Sequence, residues 1–159
     1  MDEILMLLEK DSRLTAKQIA AALGRDEEEI QAKIVKYETE GAILKYTTLV
    51  NHDKLDEESV TALIEVKIAP QLGEGYDRIA QRIYQYDEVD SLYLMTGSYD
   101  LLVTMTARTM KDAAQFVYAH LAAIDGVTST ATHFIMKKYK EQNCIFVKEP
   151  EQEERLYFV

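Results

Sequence analysis

The chain has 159 residues, 47% of them apolar, which suffices for one large domain or two small ones. Its 18 basic and 28 acidic side chains leave a formal charge of −10, so any contact with DNA phosphates has to come from a locally basic face. No apolar run is long enough to span a bilayer, and Met1-Asp2-Glu3-Ile4 lacks the basic opening of a secretion signal, so a cytoplasmic protein without a membrane partner is expected.

In chain order, Ile4, Leu5, Leu7 and Leu8 form a stripe at helical spacing and predict a helix over residues 2–10, broken at 11–13. Thr15, with Gln18 three residues on, is a capping box that opens a second helix. Ile19, Ala20 and Leu23 face inward there, and Gly24 ends it. Asp26 and Glu29 repeat the capping-box spacing and open a third helix through Ile30, Ile34 and Tyr37 to Glu40, stopped by Gly41. Residues 42–50 alternate loosely and suit a wing strand. Helix-turn-helix packing needs a small residue at the crossing, a turn residue tolerant of positive φ, and an apolar residue reaching back from the second helix. Ala20, Gly24 and Ile30 stand at those offsets. Residues 1–50 are therefore expected to be a winged helix-turn-helix DNA-binding domain, and the polar 51–58 a linker.

From residue 59 the pattern changes. Val60, Ala62, Ile64, Val66 and Ile68 alternate with Thr61, Leu63, Glu65 and Lys67, a strand of period two. After a loop over 70–75, Tyr76, Ile79, Ala80, Ile83 and Tyr84 predict a helix over about 75–86. Strands are expected over 92–96 and 99–107, separated by the turn signal Gly97-Ser98. Ala113, Phe116, Val117, Leu121 and Ile124 mark another amphipathic helix, ended by Asp125-Gly126, and 127–138 reads as the last long strand. The order is βαββαβ, so the fold class is α+β: an N-terminal winged helix-turn-helix (three helices plus wing strand) followed by a ferredoxin-like domain over 59–140. The tail, 141–159, carries an apolar patch at 144–147 and ends Leu156-Tyr157-Phe158-Val159, expected to dock on the body or on a neighbouring subunit.

Cys144 is the one cysteine, which excludes an internal disulfide and a multi-cysteine zinc site and reads as an indifferent thiol. His52, His120 and His133 lack metal-ligand spacing, so no metal and no cofactor are expected.

Several stretches together resemble the leucine-responsive/asparagine (Lrp/AsnC) family of transcription regulators. They are residues 4–8, 13–15, 19–24 (IAAALG) and 37–43 (YETEGAI) in the first half. In the second half, Thr96-Gly97-Ser98-Tyr99-Asp100 resembles the family's G-x-Y-D hairpin, and Asp125-Gly126-Val127 with Thr128, Thr130 and Thr132 resembles its G-V-x-x-T-x-T strand. The similarity covers roughly residues 2–140. It implies a homodimer, or an assembly of dimers, that binds double-stranded DNA and takes a small effector, an amino acid, at the subunit interface.

Arg25, Gln31, Lys33, Lys36 and Lys45 are the candidate DNA contacts. The third helix departs from the family pattern by opening Asp26-Glu27-Glu28-Glu29 and by placing Ala32 where a basic residue is common. Residues 1–50 hold seven basic and ten acidic side chains, a net of −3, so an isolated head is expected to bind weakly and with strong salt dependence. For the effector, Gly97, Ser98, Tyr99 and Asp100 offer unobstructed amides and a carboxylate, and Thr128, Thr130 and Thr132 share a strand face by their spacing of two. Such groups suit a zwitterionic amino acid, its ammonium on Asp100. Equally, Asp100 could cap the hairpin and the threonines serve as β-formers. The open sheet face is expected to carry Leu63, Phe134 and Met136 and to pair with a second copy.

Two other functions fit the architecture. An amino-acid-sensing oligomeric partner without DNA binding is favoured by the acids of the third helix. A siroheme-decarboxylase-like enzyme is disfavoured, because that resemblance rests on a histidine-tyrosine-arginine constellation and tryptophans near the hairpin. This chain has no Trp, no nucleophile-base pair and no Gly-rich phosphate loop, so no catalytic residue is expected.

Overall fold

The structure, a computed structural model, describes residues 2–55, 58–69 and 75–147. Its contacts divide the chain into two compact units, Met1–Val50 and Asn51–Val159.

The first unit holds α1 (Glu3–Lys10), α2 (Ala16–Leu23) and α3 (Glu27–Thr39). Each starts on a side-chain cap. Asp2 accepts from the Ile4 N–H at 2.9 Å. Thr15 and Gln18 form the full reciprocal box, with Gln18 Oε1 accepting from the Thr15 N–H at 2.9 Å. Asp26 accepts from the Glu28 and Glu29 N–H groups. The expected return bond from Glu29 is absent, because its carboxylate turns to Arg25 and Lys33, a stronger charge-assisted partnership. Gly24 closes α2 in the left-handed conformation at φ 64° and turns the chain into α3. The core is Ile4, Leu8, Ala16, Ile19, Ala20, Ile30 and Ile34. Ile30 is fully buried, and truncating such a side chain to Ala costs about 2–5 kcal/mol.

The expected wing strand is not formed. Residues 43–50 join no ladder among the described residues, because a strand needs a second backbone to take its N–H and C=O groups. Instead Ser12 Oγ donates to the Thr47 carbonyl at 3.3 Å and the Tyr46 hydroxyl donates to Glu38 at 2.9 Å, tethering the segment to the helices.

In the second unit a short 3-10 turn, His52–Lys54, precedes β1 (Val60–Ile68), α4 (Tyr76–Ile83), β2 (Val89–Leu94), β3 (Leu101–Ala107), α5 (Met110–Phe116) and β4 (Val127–Phe134). The backbone runs on from α5 as a π-helical turn, Val117–Leu121. The sheet is antiparallel with order β2-β3-β1-β4, the ferredoxin-like arrangement. The helix α4 and the three later strands differ from expectation at their ends. The strand β2 starts earlier, at Val89, and β3 begins only at Leu101, so residues 95–100 make a wider turn closed by the Met95 N–H on the Asp100 carbonyl at 2.8 Å. The strand β4 stops at Phe134, opposite Ala62, and one further backbone bond, from the Ile135 N–H to the Thr61 carbonyl at 2.9 Å, ends its pairing with β1.

Register decides the faces. The rows Leu92–Val103–Ile64–Thr132 and Val89–Met105–Ala62–Phe134 run across the sheet under the helices. Ile79, Ile83, Ala113, Phe116, Val117, Leu121 and Ile124 pack with the buried strand residues there. The opposite face carries Tyr93–Leu102–Glu65–Ala131 and Ser91–Thr104–Leu63–His133. Phe134 thus packs on the core and is not on the open face as expected, and Met136 lies past the end of β4. Residues after 139 add a two-residue hairpin, β5 (Lys140–Glu141) and β6 (Cys144–Ile145), turned by Gln142 and Asn143 at positive φ. The loop at 70–74 and the apolar end at 156–159 lie outside the described residues.

Candidate nucleic-acid interface and effector site

On α3 successive side chains turn by about 100°, so Ile30 and Ile34 define the buried direction. The opposite direction is shared by Glu28, Ala32, Val35 and Thr39, all exposed. Gln31 and Lys36 flank that stripe, one on each side.

The candidate cations of this surface are already engaged. Arg25 pairs with Glu29; Lys33 lies 3.7 Å from Glu29 and 4.0 Å from Asp2; Lys36 lies 3.8 Å from Glu40. The Arg25 hydrogen bond pulls the Glu29 pKa below its ordinary value, and Glu29 in turn raises that of Arg25. Asp2 is lowered chiefly by the Tyr37 hydroxyl, which donates to it at 2.6 Å and so ties α1 to α3. Lys45 is exposed on the extended segment and has no ion-pair partner among the described residues. The same holds for Lys17 in the first turn of α2, a cation the sequence reading passed over. Its position two residues after the Thr15 cap was the available signal.

Two of the effector candidates, Asp100 and Thr128, meet the C-terminal end of β1. The Asp100 carboxylate accepts from the Ile68 N–H at 2.7 Å, while the Asp100 N–H donates to the Val66 carbonyl at 3.0 Å. From the other side Thr128 Oγ1 donates to the Lys67 carbonyl at 3.2 Å. Gly97 adopts φ 134° in the turn that delivers Asp100, and adding a Cβ to it meets nothing within 4 Å. Ser98 is exposed and Tyr99 half-buried in the same turn. The three threonines do not share one face. A register shift at Lys67/Ile68 sets Val127 opposite Ile68, so the bulge places Thr128 apart from Thr130 and Thr132, which sit opposite the core residues Val66 and Ile64.

No group of histidines, cysteines or carboxylates among the described residues could hold a metal ion. Cys144 is a free, exposed thiol. His133 faces Glu65 at 3.3 Å on the open sheet face, and His120 stacks with Tyr86 and Phe116. No described helix is long and apolar enough to cross a membrane.

A trihelical head with a helix-turn-helix crossing and a ferredoxin-like domain define a two-domain DNA-binding regulator class. The family model described as the Lrp/AsnC ligand binding domain matches residues 61–145. A relative from Bacillus subtilis, the HTH-type transcriptional regulator YugG, is 43% identical over 145 residues, covering 91% of this chain and 87% of its own length. The regulator LrpA of Pyrococcus horikoshii is 31% identical over 137 residues, covering 86% of this chain and 94% of its own. Among solved structures, the asparagine regulator AsnC of Escherichia coli superposes with a TM-score of 0.69 at 20% identity, covering 87% of this chain and 91% of that one. The regulator NMB0573 of Neisseria meningitidis, solved as its L-Met complex, gives 0.71 at 22% identity, covering 89% and 93%. The chain belongs to the Lrp/AsnC family. It is a helix-turn-helix transcription regulator carrying that family's ligand-binding domain, and it is not an enzyme.

Proposed function

We propose that this regulator is a cytoplasmic homodimer, or an assembly of dimers, that binds specific double-stranded DNA and is modulated by an amino acid. The observation that carries the DNA reading is the exposed outer face of α3, standing on a capped helix-turn-helix with Gln31 on one flank and Lys36 on the other. Gln31 and Arg25 flank the groove-facing surface; Lys33, Lys36 and Lys45, joined by Lys17, supply phosphate contacts. Because three of these cations are held by carboxylates, one head binds weakly, and affinity comes from several heads acting at once.

Copies join through the open sheet face, where Leu63, Leu102 and Tyr93 offer apolar area around the His133–Glu65 pair. The effector sits near the 97–100 turn and Thr128, where the Asp100 carboxylate and the Thr128 hydroxyl both reach the end of β1. That a relative of this fold was solved with L-Met supports an amino acid as the class of effector.

The test is a gel shift at low salt with the promoter of the protein's own gene, beside a mass measurement in solution. Retardation that weakens steeply with salt, from a species of two or more chains, is the expected outcome. Lys33→Ala and Lys36→Ala each lower the salt slope by about one unit. A monomer that retards no DNA at any salt concentration refutes the reading and leaves a sensor without DNA.

A further inference from the structure

The stripe on α3 that points away from the core is neutral and largely apolar after its first residue. Ala32, Val35 and Thr39 follow Glu28 along it, and Val35 is 48% exposed. The arginines and lysines that would read guanine are absent from its centre; Arg25 and Lys36 stand beside it, each paired with a carboxylate. In the major groove, small apolar side chains have one natural partner, the 5-methyl group of thymine. Gln31, on the flank beside Ala32 and Val35, has the amide that pairs with the N6 and N7 edge of adenine. The uncommitted cations Lys17 and Lys45 leave phosphate anchoring to the surroundings of the stripe.

We infer that this helix reads A·T pairs directly, with Ala32 and Val35 against thymine methyls and Gln31 against the adenine edge. The inference rests on the proposed DNA binding and specifies its substrate. A carboxylate at Glu28 adds discrimination of another kind, since it accepts only from a base amino group and repels a misplaced phosphate.

The full chain is used to select duplexes from a random library, and the selected duplex is then remade with deoxyuridine replacing single thymines. This removes one methyl group and keeps the base pairing. Deoxyuridine at a contacted position is expected to weaken binding about three- to fourfold, the value of one buried methyl. Val35→Ala, at an exposed site that leaves the helical spectrum unchanged, weakens binding to the thymine duplex and shrinks that ratio towards one at its own position. Equal affinity for thymine and deoxyuridine at every position overturns the inference while leaving DNA binding intact, as does an unaltered ratio in V35A. If no duplex is selected at all, the DNA reading and this inference fall together.

Discussion

Asp100 has two candidate duties, and one pair of substitutions separates them. Its Oδ2 accepts the Ile68 N–H at 2.7 Å in a half-buried position, at the point where β1 leaves the sheet. Asp100→Ala strands that amide, and an unsatisfied, partly buried donor costs about 1–3 kcal/mol. For a domain of this size each kcal/mol moves the melting temperature by about 4–8 °C, so a fall on the order of 5–20 °C is expected for the second unit. Asp100→Asn keeps an acceptor oxygen of the same reach and removes only the charge; it should melt within a few degrees of the wild type. The assay is thermal unfolding by circular dichroism at one fixed protein concentration, followed by calorimetry with the twenty amino acids at a temperature where all three proteins are folded. Loss of binding in the folded D100N protein places the ligand's ammonium on this carboxylate. Should D100A melt with the wild type, the Ile68 bond is not holding the turn, and the structural argument is wrong. Should D100N bind every amino acid as the wild type does, Asp100 is a cap and nothing more.

Other expectations concern the head. Glu29→Gln removes the carboxylate shared by Arg25 and Lys33, and should steepen the salt dependence of DNA binding by about one to two units and raise affinity at low salt; anisotropy titrations at several salt concentrations decide it, and an unchanged slope means the freed cations do not reach phosphate. The depressed pKa values of Asp2 and Glu29 contribute stability that is fully present above their ordinary values of 3.8 and 4.5 and is lost as pH falls through the lower folded values. The melting temperature of the head should therefore fall below about pH 4, and Asp2→Asn, which still caps α1, should flatten that acid dependence; a D2N profile with the wild-type slope would contradict the assignment. Gly24→Ala meets no neighbour but must hold φ 64°, so a loss of about 1–2 kcal/mol in urea unfolding is expected, with no loss implying that the turn relaxes.

Local chemistry wrote much of this protein into its residue order. Caps at Thr15 and Asp26, the stop at Gly24 and the period-two run of β1 are set by neighbours three residues away or fewer, and all were legible before the fold. What depended on distant partners was not legible. Residues 42–50 have a strand-like pattern, but no second backbone comes to them within the described chain. The spacing of Thr128, Thr130 and Thr132 implied one face until a bulge, created by pairing with β1, rotated the first of them away, and that same register put Phe134 into the core. Only the fold brought Asp100 to Ile68, 32 residues distant, and turned Glu29 from its cap towards Arg25 and Lys33. A side chain's nearest competitor for a hydrogen bond or an ion pair is chosen in three dimensions, so its element can be read from sequence while its partner cannot.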